Sequence, residues 1–173
     1  MADEGASTKY TGPYAIVSWE GNRDASNNNA MDGWGKITFA NTNTYEGFVS
    51  RDMLHGRGVL HDHENHTRFE GMFCEDKRHG ENCIFTHPFG RYEGSYANNK
   101  RHGRGKEVDL HGNTFEGEFR DGDAYEGRAT FVDGEVYVGR LRNDMKDGYG
   151  KLWTQDGELL EGEWKEDELV APA

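Results

Sequence analysis

Rings and small residues alternate with polar residues in a short pattern that returns along the chain. In Tyr92-Glu93-Gly94-Ser95-Tyr96 two rings stand at offsets 0 and 4 with a glycine between them, and Glu93 and Ser95 fill the intervening positions. Residues two apart in a strand share a face, so this spacing predicts a strand with one aromatic and one polar face. The same layout is written as Phe69/Phe73, Phe115/Phe119, Tyr137/Leu141 and Leu160/Trp164. A polar turn, Asn98-Asn99-Lys100-Arg101, leads into His102-Gly103-Arg104-Gly105. Two glycines one residue apart suit a tight reversal, and the chain is expected to turn back antiparallel there. Past the second glycine or its replacement the return strand carries an apolar residue: Ile37, Leu60, Ile84, Ala129 and Leu152. A small element, His111-Gly112, Asp133-Gly134 or Asp156-Gly157, then turns the chain into the next copy. One unit is a β-hairpin.

The tripeptide aromatic-Glu-Gly marks the copies. It begins at Trp19, Tyr45, Phe69, Tyr92 and Phe115, and Tyr137-Val138-Gly139 and Leu160-Glu161-Gly162 continue it, at separations of 26, 24, 23, 23, 22 and 23 residues. A fixed period means one structural unit copied, each copy burying its apolar face against its neighbours. The expected fold is all-β, an elongated, twisted, single-layer antiparallel sheet of about six to seven hairpins. With strands ~4.8 Å apart, two strands per unit give a rise of roughly 10 Å, and the rod would be on the order of 60 Å long. The array is expected over 10–168, starting from Tyr10-Thr11-Gly12-Pro13-Tyr14 as an orphan strand and ending in a half-repeat at Leu160. Residues 1–9 read as a flexible N-terminus and 169–173 as a tail.

The second face of each strand is charged. Offset 1 is Glu20, Glu46, Glu70, Glu93, Glu116 and Glu161, and the return-strand position after the glycine pair is often basic: Lys36, Lys106, Arg128, Lys151. Opposed charges across strands contribute roughly 0.2–1 kcal/mol per pair. These carboxylates stand about one repeat apart, so they read as fold electrostatics on a solvated face.

Composition sharpens this picture. Hydrophobic content is only 34%, but aromatics reach 12% and recur periodically, with three prolines in all, which separates the chain from a disordered one. The net charge of −12 opposes phosphate backbones and anionic headgroups, so nucleic acid is excluded as a partner and direct membrane binding is disfavoured. Cys74 and Cys83 are too few for a disulfide scaffold and lack zinc spacing, so two free thiols in a reducing compartment are expected. The acidic start and the absence of a long apolar run point to an intracellular chain in the cytoplasm or cytoskeleton.

No constellation points to catalysis. His61-Asp62-His63-Glu64-Asn65-His66, with His55 nearby, is the richest metal-like cluster, but it is one residue short of H-E-x-x-H and lies between two hairpins, where a solvated loop is expected. His55, His79 and His102 recur one per copy, which suggests a structural hydrogen bond in each. Gly103-Arg104-Gly105-Lys106 lacks the rest of a phosphate loop, and no nucleophile, base and orienting group come together. The chain is read as no enzyme, with no catalytic residue, cofactor or metal.

The combination aromatic-Glu-Gly-x-aromatic followed by His-Gly-x-Gly resembles the MORN repeat (membrane occupation and recognition nexus), from roughly Tyr10 to Trp164. Four copies depart from it. Asp32-Gly33-Trp34-Gly35 replaces the histidine motif in the first, after the insert Ser26-Asn27-Asn28-Asn29. Asn82 replaces the second glycine in the third, Ala124-Tyr125-Glu126-Gly127 replaces the motif in the shortened fifth, and Asp147 stands for histidine in the sixth. Bulges or register changes are expected in the first and fifth. The resemblance implies a grooved single-layer sheet and a scaffold function, as in junctophilins, radial-spoke-head proteins and protist cytoskeletal organisers. A short acidic array is similar to the axonemal members, which implies a protein partner in the axoneme of a cilium or flagellum. The alternatives are a peripheral phosphoinositide-binding tether and a targeting subunit for an enzyme on another chain.

Two surfaces follow from this reading. A single-layer sheet cannot cover its own rings, so Tyr45, Phe69, Phe73, Tyr92, Tyr96, Phe115 and Phe119 are expected to form a partly exposed groove. A helical or extended partner segment with basic flanks would lie along it. The second is a basic edge of Lys77, Arg78, Lys100, Arg101 and Arg104, read as a solvated edge that opposes strand pairing or, as the weaker alternative, a docking stripe.

Overall fold

The computed structural model describes residues 10–11 and 14–173. The expected flexible segment 1–9 lies outside the described residues, as do Gly12 and Pro13 of the orphan strand. Tyr10 and Thr11 are not in a strand; the first strand begins at Ile16. The chain divides into two compact units, Met1–Pro88 and Phe89–Ala173.

Unit 1 holds three hairpins. They are β1 (Ile16–Asp24) with β2 (Ala30–Phe39), β3 (Thr44–Ser50) with β4 (Met53–Asp62), and β5 (Thr67–Cys74) with β6 (Lys77–His87). Unit 2 holds four: β7 (Gly90–Ala97) with β8 (Lys100–Asp109), β9 (Thr114–Arg120) with β10 (Asp123–Thr130), β11 (Val136–Arg142) with β12 (Met145–Trp153), and β13 (Leu159–Lys165) with β14 (Glu168–Pro172). Within each unit every strand pairs antiparallel with its chain neighbours in a single layer. The all-β hairpin fold is as expected. At the C-terminus Leu160 opens a complete seventh hairpin, and the presumed tail is mostly strand β14, which gives the rim of β13 a hydrogen-bonded neighbour.

The reversals do not fall on the paired glycines. They fall in the polar turn, four residues before the first glycine where that glycine is present, at two-residue tips whose backbones are both left-handed: Arg51-Asp52 (φ 49° and 62°), Glu75-Asp76 (49° and 65°), Asn98-Asn99 (50° and 71°), Asn143-Asp144 (52° and 61°) and Glu166-Asp167 (49° and 70°). This is the tip geometry whose twist matches that of the strands it joins. Asn and Asp tolerate it, and only Asp121-Gly122 uses glycine. The histidine-glycine segment instead lies inside the return strand. There Gly103, at φ 73°, belongs to a bulge: Gly94 pairs with Gly105 but Tyr96 pairs with Arg101, so the return strand carries two extra residues.

Bulge size varies by copy. It is also two residues in the first, second and sixth hairpins, where Gly21/Gly35 gives way to Arg23/Met31, Gly47/Gly58 to Val49/Leu54, and Gly139/Gly150 to Leu141/Lys146. The fifth has one extra residue, Tyr125, and the third has three, with Asn82 as a second left-handed position. The irregular first and fifth registers were expected; that of the third corrects the reading of Ile84. The longer bulge pairs Phe69 with Phe85 and turns Ile84 to the face of Glu70, while Cys83 becomes the fully buried residue.

Side-chain clamps join successive hairpins at both ends. At the tips Asp52 Oδ1 accepts from Met31 N (2.8 Å), Asp76 Oδ1 from Leu54 N (2.8 Å) and Asp167 Oδ1 from Lys146 N (2.9 Å). The backbone N–H of each aspartate donates back to the carbonyl of the same residue. At the other end Asn43 Oδ1 accepts from His63 N (2.9 Å) and Asn113 Oδ1 from Val132 N (3.0 Å). Each clamp pairs a strand-terminal N–H that no further ladder partner reaches.

Candidate functional site

The aromatic face is built on cross-strand glycine pairs. A Cβ on Gly94 would clash with the hydroxyl end of the Tyr92 ring and lie 2.5 Å from Gly105 Cα, so only glycine leaves room for the ring to lie across both strands. Tyr45 lies likewise over Gly47 and Gly58, and Tyr137 over Gly139 and Gly150. Each hydroxyl then reaches the carbonyl three residues on: Tyr45 to Phe48 (2.7 Å), Tyr92 to Ser95 (3.0 Å), Tyr137 to Arg140 (2.9 Å). That carbonyl faces the bulge, where the strand ladder is interrupted, and the phenol supplies the donor. Trp19 does the same with its indole, donating to Asn22 O at 3.0 Å.

Rings and cations close the face. Tyr45 meets Phe73 edge-to-face at 5.2 Å, Phe69 meets Phe73 at 5.1 Å, Tyr92 meets Phe119 at 4.9 Å and Phe115 meets Phe119 at 5.3 Å. The Arg101 guanidinium lies 5.6 Å from the Tyr92 ring and 5.0 Å from Phe119, and Arg78 covers Phe69 and Phe85 at 5.5 and 5.2 Å. As a result Tyr45, Phe69, Phe73, Tyr92, Tyr96, Phe115 and Phe119 are all between 0 and 9% exposed. The expectation of a partly exposed groove through these seven rings is corrected. A single layer covers its own rings when they lie flat on glycines and long cationic side chains fold over them.

The basic edge divides for the same reason. Arg78 and Arg101 belong to the cover of the rings; Arg101 also donates from Nε to Gly122 O (2.8 Å) and pairs with Glu107 (2.6 Å). Lys77, Lys100 and Arg104 are exposed. His55, His79 and His102 are exposed on their return strands, and none makes a side-chain hydrogen bond among the described residues, which corrects the expectation of one per copy. His61 and His63 stack at 5.9 Å, and burial lowers the His61 pKa. Among the described residues no group of histidine, cysteine and carboxylate side chains has the arrangement to hold a metal ion.

The opposite face differs between the units. In unit 1 Trp34 (51% exposed) packs edge-to-face on its cross-strand partner Phe48 (47%) at 5.2 Å, and Met72 (43%) lies beyond Arg57 on the same face. In unit 2 the positions matching Phe48 and Met72 are Ser95, Glu118, Arg140 and Glu163, within charge ladders such as Lys151–Glu161 (3.0 Å). The apolar stripe was legible as offset 3 and the residue between the paired glycines, positions to which the repeat pattern assigns no type.

A family model for the MORN repeat matches residues 45–65, 92–109 and 137–158. The chain carries MORN repeats. No curated protein matches it. The matched copies are the second, fourth and sixth hairpins, in which a tyrosine at offset 0 donates across a two-residue bulge. In the third and fifth MORN-like hairpins Phe69 and Phe115 stand at offset 0, and there the bulge has three residues and one. A ring donor at offset 0, phenol or indole, and a two-residue bulge therefore go together. Treating Tyr and Phe as one aromatic class hides that distinction, although the donor is plain in the residue type. MORN repeats serve as scaffolds that bind proteins or membranes, and that coarse function applies to this array.

Proposed function

We propose that this chain is a non-enzymatic scaffold that binds another protein, and that it serves in a ciliary or flagellar axoneme as a radial-spoke-associated component. The observation that carries the scaffold reading is the stripe of Trp34, Phe48 and Met72 on the outer face of unit 1. Large apolar side chains this exposed, held on a rigid ladder, match the aromatic anchors that dominate protein interfaces. The net charge of −12 favours a partner with basic flanks. The axonemal placement is supported by the resemblance of short acidic arrays to axonemal members of the family.

Affinity capture from axonemal extract tests both parts, with the wild-type chain beside a Trp34→Ser/Phe48→Ser variant. The expected result is a defined axonemal partner retained by the wild type and lost by the variant, with both chains melting alike. Equal capture by both moves the docking site off the stripe, and capture of no axonemal component overturns the placement.

A further inference from the structure

In unit 1 the inner face is completed by a residue from outside the hairpins. Tyr10 sets its ring 5.9 Å from Phe39 and donates its hydroxyl to Asp76 Oδ1 at 2.5 Å. Phe39, Val49 and Leu54 are 5, 2 and 6% exposed there. A step of four hairpins along the repeat carries Phe39 to Phe131, Val49 to Leu141, Leu54 to Lys146 and Asp76 to Asp167. All four of these residues line one cavity of about 220 Å³ on the inner face of unit 2. Among the described residues no side chain takes the place of Tyr10 in it, and Phe131, Leu141 and Lys146 are only half-buried.

The two sites differ in charge. Lys146 replaces Leu54, and its Nζ lies 3.1 Å from Asp167 Oδ1, the oxygen that corresponds to the acceptor of the Tyr10 hydroxyl. Glu107, paired with Arg101, and Asp109 and Asp144 also line the cavity, so among its described lining residues carboxylates outnumber the Lys146 cation. We propose that this cavity receives a tyrosine side chain from an extended, basic segment of a partner protein. The ring seats on Phe131 and Leu141, and the hydroxyl takes Asp167 as its acceptor in competition with the flexible Lys146 ammonium. The internal precedent defines the guest: an aromatic ring removes the apolar floor from water, and a phenol satisfies the carboxylate at its far end. The acidic rim selects positive flanks. This deepens the scaffold reading, on which it rests, and concerns a surface separate from the Trp34 stripe.

The probe is a synthetic peptide of residues 7–14, Ser-Thr-Lys-Tyr-Thr-Gly-Pro-Tyr, which presents the lysine-tyrosine pair of this chain. It is titrated into the full chain by calorimetry and followed by amide NMR. Binding is expected, with shifted signals confined to unit 2. Affinity should fall at least tenfold in a Leu141→Lys chain or with alanine for tyrosine at the peptide's fourth position, and weaken as salt rises. The Trp34→Ser/Phe48→Ser chain should bind this peptide as the wild type does, so failure here and failure of the outer-stripe reading are told apart. If Leu141→Lys fails to fold, Phe131→Ala reads the same contact. Absence of binding, binding that survives both cavity variants, or signals shifted only in unit 1 overturns the proposal. So does concentration-dependent self-association abolished by Leu141→Lys, which would make a second copy the occupant.

Discussion

The hydroxyl of Tyr92 donates to the carbonyl oxygen of Ser95 at 3.0 Å, three residues ahead in the same strand. The bond spans the point where the return strand slips by two residues, and its ring crosses the glycine pair that makes the crossing possible. Fold and register thus meet in one side chain. Replacing Tyr92 with Phe keeps the ring and removes the donor. The expected loss is about 1–3 kcal/mol, the cost of a buried carbonyl left unpaired. Phe69→Tyr, in a hairpin with a three-residue bulge, should bring no matching gain. Urea unfolding of the two variants checks both.

Gly94→Val should be far more damaging than Glu93→Gln. The valine would have to displace the Tyr92 ring and the facing Gly105 backbone, a clash expected to cost about 3 kcal/mol or more or to prevent folding. Glu93 is exposed and pairs with an equally exposed Arg91 at 2.6 Å, so its change should stay within about 0.5 kcal/mol. Equal shifts in thermal midpoint would show that the glycine faces are misassigned.

Asp52 offers a graded test of the tips. It holds φ 62° and accepts from Met31 N at 2.8 Å. Asn keeps both functions, Gly keeps only the left-handed backbone, and Ala keeps neither. The expected order of stability is Asp and Asn together, then Gly lower by about 1–2 kcal/mol, then Ala lower by about 1 kcal/mol more. Gly122 shows that the backbone alone suffices for a tip, since there Arg101 Nε bonds to the glycine carbonyl instead.

Alkaline pH should unfold the array through its tyrosines. Burial, with the charges of Asp167, Asp147 and Glu163, raises the Tyr137 phenol to about 12, and burial also raises Tyr45 and Tyr10. A phenol whose pKa is higher folded than unfolded stabilises fully below its unfolded value, about 10. That contribution is lost as pH rises toward 12 through the folded value of Tyr137. Phenolate absorbance and near-ultraviolet circular dichroism should therefore change together in that window. Phenolate formation at Tyr45 or Tyr137, followed by their ring NMR signals, below that window with the fold intact would refute the buried placement.

The hairpins, their count and the glycine requirement were legible because a period of two in side-chain direction and a period of about 23 residues are both written in residue type. Tips and bulges were harder to place. A left-handed Arg51 or Glu75 carries no local signal, whereas a glycine pair does, and so the tight reversal was expected at the glycines, whose first member stands four residues past the tip. The burial of the seven rings could not be read from spacing, because it depends on Arg78 and Arg101 folding back over Phe69, Tyr92 and Phe119 rather than projecting as an edge. The seat of Tyr10 joins residues 66 positions apart and lies outside the repeat pattern.

Tyrosine at offset 0 occupies every second hairpin, at positions 45, 92 and 137, and each packs edge-to-face on a ring of the hairpin that follows: Phe73, Phe119 and Trp164. By hydrogen bonding and ring contact the copying unit is then a pair of hairpins, about twice the length that sequence periodicity reports. Shortening or lengthening should obey that parity. Excision of residues 44–90, the second and third hairpins together, keeps a tyrosine hairpin in front of a phenylalanine one, whereas excision of one hairpin alone sets two unlike bulges in the wrong order. Chains cut in even steps should fold cooperatively, and chains cut in odd steps should not.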